Sequence, residues 1–217
     1  SRVSGEGSDR KVAPGDVLLT ESEKRDILAL QKMYPLFLLV LNVGGPVDLT
    51  TVADKIDDIL LLSQLGVQTG MVLADILLGL AYPSGKLTTT WAPADTFCPR
   101  AEFGMKEDNR YGEGVYVGYR YYDSAKVKPT FPFGFGLSYT TFKYGPVSLS
   151  SEKLGMTADT LTVSCDITNT GSVDAYETPQ LYVRDLVASL CRPVRELKGF
   201  KKVMIPAGKT VTVSFSL

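Results

Sequence analysis

Histidine is absent from all 217 residues. Its absence excludes, within this chain, any Ser–His or Cys–His catalytic pair, any histidine-containing metal site and any imidazole acid or base. Proton transfer near neutral pH therefore falls to a carboxylate, a lysine, a tyrosine or a cysteine. Cysteine is scarce: Cys98, Cys165 and Cys191 are scattered and no C-x-x-C occurs, so neither a disulfide framework nor a zinc ribbon is expected. They read as reduced side chains packed like small apolar residues. No apolar run approaches the roughly 20 residues that cross a bilayer, and no membrane partner is expected. The 23 basic and 24 acidic residues leave a net charge of −1, without the basic surplus that nucleic acid requires. There is no initiator methionine and no signal-peptide pattern, so Ser1 reads as a cut inside a longer chain.

What is present describes a folded protein, with 44% hydrophobic and 22% charged residues of both signs. The first half alternates helical and strand patterns. Thr20-Glu21-Ser22-Glu23 is a capping box that opens a helix with Ile27, Leu30 and Tyr34 on one face, ending before Pro35. Leu36 to Val43 is an almost unbroken apolar run and reads as a strand buried on both faces. After Gly44-Gly45-Pro46, residues 49–57 suit a short helix, and Ile59 to Leu62 reads as a second buried strand. Helical spacing returns from Val67 to Leu78 with Gly79 as C-cap, and Lys86 to Trp91 is a candidate strand. Such alternation indicates an α/β layer with a parallel sheet.

Residues 92–139 are rich in proline, glycine and aromatics, and read as an ordered connection rather than a flexible linker. The last third is all-β. Leu161, Val163, Cys165 and Ile167 alternate with polar residues, as do Leu181 with Val183 and Val211 through Leu217. About five strands are expected, fewer than a complete sandwich contains, so the fragment reads as cut at this end too.

Most candidate sites weaken on inspection. Five residues separate Gly79 from Gly85 and Leu87 stands where a P-loop has Ser or Thr, so Lys86 is no nucleotide-binding lysine. Gly134-Phe135-Gly136 is half of a dinucleotide motif with no helix after it. Asp48, Asp54, Asp57 and Asp58 read as solvated or capping carboxylates, and no metal or cofactor is expected. Ser4-Gly5-Glu6-Gly7-Ser8-Asp9-Arg10 carries one carboxylate between two glycines, which lets it approach a ligand closely. A surface turn and a functional carboxylate both fit it.

Taken together, Ser4 to Arg10, Asn42-Val43-Gly44-Gly45-Pro46-Val47-Asp48, Pro83-Ser84-Gly85-Lys86-Leu87, the Tyr111 to Asp123 segment and Phe131 to Thr140 resemble the C-terminal half of glycoside hydrolase family 3. Its typical members are β-glucosidases. Pro193 to Phe200 is similar to that family's fibronectin type III-like domain. The resemblance implies an α/β three-layer sandwich with a mostly parallel sheet over residues 1–100, its first strand missing. An aromatic-rich connection over 101–140 and a truncated fibronectin type III-like β-sandwich over 141–217 follow.

It also implies a partner in the same chain, a TIM-like barrel that supplies an aspartate nucleophile and most contacts to the sugar. The glutamate of the Glu-Gly-x-Asp-Arg pattern is the general acid/base in related members, and here it is Glu6. Arg10, Arg120 and Tyr121 are the further candidates for the substrate cleft. Loop-holding, for Arg10 with Asp9, and packing, for Arg120 and Tyr121, are the competing roles. Leu65-Gly66-Val67-Gln68-Thr69-Gly70 departs from the Pro-Gly-Gln-Glu-Gly-like segment of many members. The implied substrate is a β-linked glucoside or oligosaccharide, an oligomer is compatible with the sequence, and the fragment is expected to be inactive alone. The alternative is a non-catalytic carbohydrate-binding or scaffolding module that uses the aromatics.

Overall fold

The computed structural model describes residues 10–98, 107–108, 110–153 and 160–217. The chain forms two compact units, one of residues up to Leu78 with Leu87–Phe133, the other of Gly79–Lys86 with Gly134–Leu217.

In the first unit the capping box forms as read. Thr20 Oγ1 accepts from the Glu23 amide at 3.2 Å, and the Glu23 carboxylate accepts from the Thr20 amide at 2.7 Å. Two otherwise unpaired donors are thereby satisfied at the start of α1, Glu21–Met33. Of its apolar stripe only Ile27, joined by Leu28, packs on the core, while Leu30 and Tyr34 are exposed.

β1 (Leu38–Leu41) pairs in parallel with β2 (Asp58–Leu61), in register from Leu38 opposite Asp58 to Leu41 opposite Leu61. The expectation of burial on both faces is not met: Leu41 alone of β1 is buried and Leu36 is 91% exposed. Successive side chains alternate faces, so Leu39 and Leu41 reach the core while Leu38 does not. Among the described residues β2 is the one strand hydrogen-bonded to β1.

The expected helix over 49–57 shrinks to one 3₁₀ turn, Ala53–Lys55, ahead of β2 at Asp58. The turn still delivers Leu49, Val52 and Ile56 into the core beside Leu19, Leu41, Val43, Val47 and Trp91. α2 (Thr69–Leu77) ends as read, with Gly79 in the left-handed region at φ +71°. No strand forms over Lys86–Trp91. Trp91 instead makes a single antiparallel bridge to Phe131, exchanging bonds of 2.9 and 3.0 Å. The aromatic stretch contains a further helix, α3 (Tyr119–Ala125), entered from Gly118 and closed by Lys126 in the left-handed region. Tyr119 stacks on Phe133 with centroids 4.7 Å apart.

Asp48 ties distant parts of this unit together. Its amide donates to Val17 O at 2.7 Å. One carboxylate oxygen accepts from the Thr50 amide and hydroxyl, the other from the Ala94 amide at 2.9 Å. Burial works to raise this carboxyl, but the hydrogen bonds from Thr50 and Ala94, with Lys24 nearby, outweigh it and hold the pKa below the ordinary value.

The second unit has seven described strands where alternation suggested about five: β3 (Phe142–Leu149), β4 (Thr162–Asn169), β5 (Ala175–Glu177), β6 (Gln180–Val183), β7 (Glu196–Phe200), β8 (Val203–Ile205) and β9 (Thr210–Ser216). The difference lies in pieces as short as β5 and β8, too brief for alternation to register. All pairings are antiparallel: β3-β4-β9 form one sheet, and β5-β8 and β6-β7 form pairs. Ile167, Ile205 and Val213 make the core, with Phe142, Val203, Val211 and Phe215 against it. Fully buried Asn169 is saturated: its Nδ2 donates to Val173 O and Ile205 O, and its Oδ1 accepts from Thr140 Oγ1 and the Gly171 amide.

Lys86, set aside as a nucleotide ligand, belongs to this unit. Its Nζ donates to Gly136 O at 2.7 Å and pairs with the Glu177 carboxylate at 3.2 Å, both side chains being largely buried. Tyr144 Oη donates to the same carboxylate at 2.9 Å. Burial, reinforced by the Glu177 charge, pushes the Tyr144 phenol well above its ordinary value. Gly136 has no Cβ because Gly85 O occupies that space. The Pro83–Lys86 turn is thus fastened into the β unit.

Two predictions follow from these polar joints. Because the folded-state pKa of Asp48 is depressed, its contribution is complete above the ordinary value of 3.8 and is lost as pH falls through the folded value. Asp48→Asn should therefore flatten the acid limb of a Tm-against-pH curve, and an unchanged limb would count against this assignment. Lys86→Met leaves Glu177 buried without its cation and is expected to cost about 3 kcal/mol, with Lys86→Met/Glu177→Leu less damaging. Denaturant unfolding followed by circular dichroism checks both variants.

Candidate functional site

Glu6 and Asp9 lie outside the described residues, so the motif is first seen at Arg10. Each of the three guanidinium nitrogens of Arg10 donates to a protein acceptor. Nε reaches Asp16 Oδ1 at 2.8 Å, Nη2 reaches Asp16 O at 3.0 Å and Nη1 reaches Pro46 O at 2.5 Å. The second carboxylate oxygen of Asp16 accepts from the Lys11 amide at 2.6 Å. The Pro14-Gly15-Asp16 turn makes this approach feasible, with Gly15 at φ +88°. Gly45 completes the fit, since a Cβ there would lie 2.9 Å from Arg10 Nη1.

Pro46 belongs to the loop that leaves β1. In a parallel pair both C-terminal strand ends lie at one edge, the edge where open α/β sheets bind ligands. Here Asn42 Nδ2 donates to Ser63 O at 2.9 Å and ties the two strand ends. Ser63 holds φ +60°, uncommon for a residue with a Cβ. The departing segment 65–70 forms a 3₁₀ turn, Gly66–Gln68, that leads into α2, and its Val67 is exposed.

Arg120 and Tyr121 lie on α3, a separate element. The Arg120 guanidinium lies 5.9 Å from the Tyr119 ring centroid, and Tyr121 meets Tyr122 edge-on at 5.2 Å. Burial, then the neighbouring Tyr121, Cys98 and Glu113, pushes the Tyr122 phenol up. The other aspartates behave as solvated or capping groups: Asp54 lies 3.7 Å from Lys55 Nζ, and Asp57 accepts from Gln31 Nε2 at 2.7 Å. Among the described residues, no cluster of three Cys, Asp or Glu side chains has metal-binding proximity.

Two residues of this constellation escape sequence reasoning. Asp16 sits six positions beyond Arg10 in an ordinary-looking turn, and Gly45 reads only as a breaker after a strand. A Pro-Gly-Asp turn just downstream of an arginine, and a double glycine at a strand end, are the signals that could have marked them.

A family model described as "Glycosyl hydrolase family 3 C-terminal domain" matches residues 1–139, and one described as "Fibronectin type III-like domain" matches 177–217. The chain is 38% identical over 214 residues to Thermostable beta-glucosidase B of Acetivibrio thermocellus, covering 98% of this chain and 28% of that protein. It is also 38% identical to a Beta-xylosidase of Formosa agariphila, with 100% and 28% covered. The solved structure of beta-glucosidase 3B from Thermotoga neapolitana in complex with glucose superposes with a TM-score of 0.90 at 37% identity, over 100% of this chain and 31% of that one. The chain thus spans about three-tenths of the length of these relatives. It belongs to glycoside hydrolase family 3, of which it carries the C-terminal domain and the fibronectin type III-like domain.

Proposed function

We propose that the chain is the non-barrel portion of a retaining β-glucosidase-type glycoside hydrolase and that Glu6 is its general acid/base. The observation that carries this reading is the family match over residues 1–139, which contains Ser4-Gly5-Glu6-Gly7 with its one carboxylate between glycines. In this reading the β1/β2 pair is part of a larger, mostly parallel three-layer α/β sandwich. The nucleophile and most sugar contacts come from a barrel in the same full-length protein.

The chemistry needs two carboxyl groups roughly 5–5.5 Å apart, one ionised as nucleophile and one protonated as acid. Glu6 protonates the glycosidic oxygen as the bond to the anomeric carbon breaks and the nucleophile's ester forms. It then takes a proton from the water that attacks that ester, and the acid is regenerated. A protonated acid at neutral pH requires a raised pKa, which burial beside a second carboxylate supplies. The substrate class in this reading is a terminal β-glycoside, and the β-glucosidase and β-xylosidase names of two relatives support the β-glycoside part of it.

Two expected outcomes follow. The 217-residue chain alone should not hydrolyse an aryl β-glucoside above background, because one carboxylate cannot run a double displacement. Turnover that disappears in Glu6→Ala would overturn this. In the full-length enzyme, Glu6→Ala should lower the rate on poor leaving groups by roughly 100-fold or more, and far less on activated aryl glucosides. Equal losses on both would assign Glu6 a structural role.

A further inference from the structure

We infer that Asp16 and Gly45 build a seat for Arg10 whose function is to set where Glu6 is presented, which makes Arg10, Asp16 and Gly45 positioning residues for the acid/base step. This rests on the reading of Glu6 given above.

Three residues, Gly7 to Asp9, stand between Glu6 and Arg10, so four chain steps cannot carry the two Cα atoms more than about 14 Å apart. A general acid must stand within hydrogen-bond reach of the oxygen it protonates. A link this short limits how far the acid can stray from its anchor, and the anchor itself is well determined. The planar guanidinium is held on three acceptors from two chain segments, Asp16 Oδ1, Asp16 O and Pro46 O. Three such contacts fix both the position and the rotation of a rigid fork.

Asp16 grips twice, since its other oxygen holds the Lys11 amide. The backbone immediately after the motif is therefore fixed along with the side chain. Lysine would offer a compact point charge in place of the fork and could not reproduce the three directions. Gly45 keeps the third contact open, because an alanine Cβ would press on Nη1 from 2.9 Å. The contact to Pro46 O also ties Arg10 to the loop that follows the C-terminal end of β1, the side on which open α/β sheets generally bind ligands.

The test is made in the full-length enzyme with Arg10→Lys, Asp16→Asn and Gly45→Ala. Steady-state kinetics on an alkyl β-glucoside and on 2,4-dinitrophenyl β-glucoside are read beside the melting temperature. A misplaced acid should lower kcat on the alkyl substrate roughly 10- to 100-fold, with KM little changed and the dinitrophenyl rate within about 3-fold of wild type. Glu6→Ala combined with Asp16→Asn should lose no more on the alkyl substrate than Glu6→Ala alone.

Parallel losses on both substrates, tracking a lower melting temperature in all three variants, would make the seat merely structural and overturn the inference. Gly45→Ala, which removes no hydrogen-bonding group, keeps the test open where a charge variant fails to fold. If Glu6→Ala discriminates leaving groups while none of the three seat variants does, the seat fails and the acid/base reading stands. If Glu6→Ala does not discriminate, both fall.

Discussion

Four residues leaving β1, Gly45 to Asp48, hold the first unit together. The Pro46 carbonyl receives Arg10, the Asp48 amide reaches Val17, and the Asp48 carboxylate spans Thr50 and Ala94. Through these bonds the turn at residues 13–18, the core segment 49–56 and the chain near Trp91 are referred to one short stretch. The hydrophobic core forms beside it, since Val47, Leu49 and Val52 are all buried. Apolar burial supplies the driving force but no direction. The directional bonds at this node select which segments meet.

The second unit applies the same logic with a buried charge. Lys86 and Glu177 come from positions far apart in sequence and meet largely out of water, with Gly136 O and Tyr144 Oη satisfying remaining valences. Such a pair contributes little net stability over an apolar substitute, yet it penalises any arrangement that leaves one partner behind. It therefore specifies which turn docks against the β strands. Asn169 acts likewise through four neutral hydrogen bonds.

The proposed chemistry fits a chain without histidine, since double displacement at an acetal runs on two carboxyl groups. One of them is proposed for this chain, at the end of a segment whose downstream side is fixed by Arg10. The family match and the structure bear on different parts of that statement. The match covers the segment that holds Glu6, and Arg10, Asp16 and Gly45 are the described residues inferred to serve it.

Much of the local structure was legible in the sequence. The Thr20–Glu23 box, the Gly79 stop, the β1 and β2 runs and the alternation of β4 and β9 follow from cap chemistry and period alone. These signals are local, each written within about a dozen residues. The family too was readable, because its motifs are contiguous. What the sequence did not reveal is long-range: that Lys86 seeks Glu177, that residues 86–91 give one bridge instead of a strand, and that Asp16 and Gly45 frame Arg10. A strand needs a partner along its length, and an ion pair needs two positions brought together. Neither is encoded in the periodicity of a single segment, so only the tertiary structure could decide them.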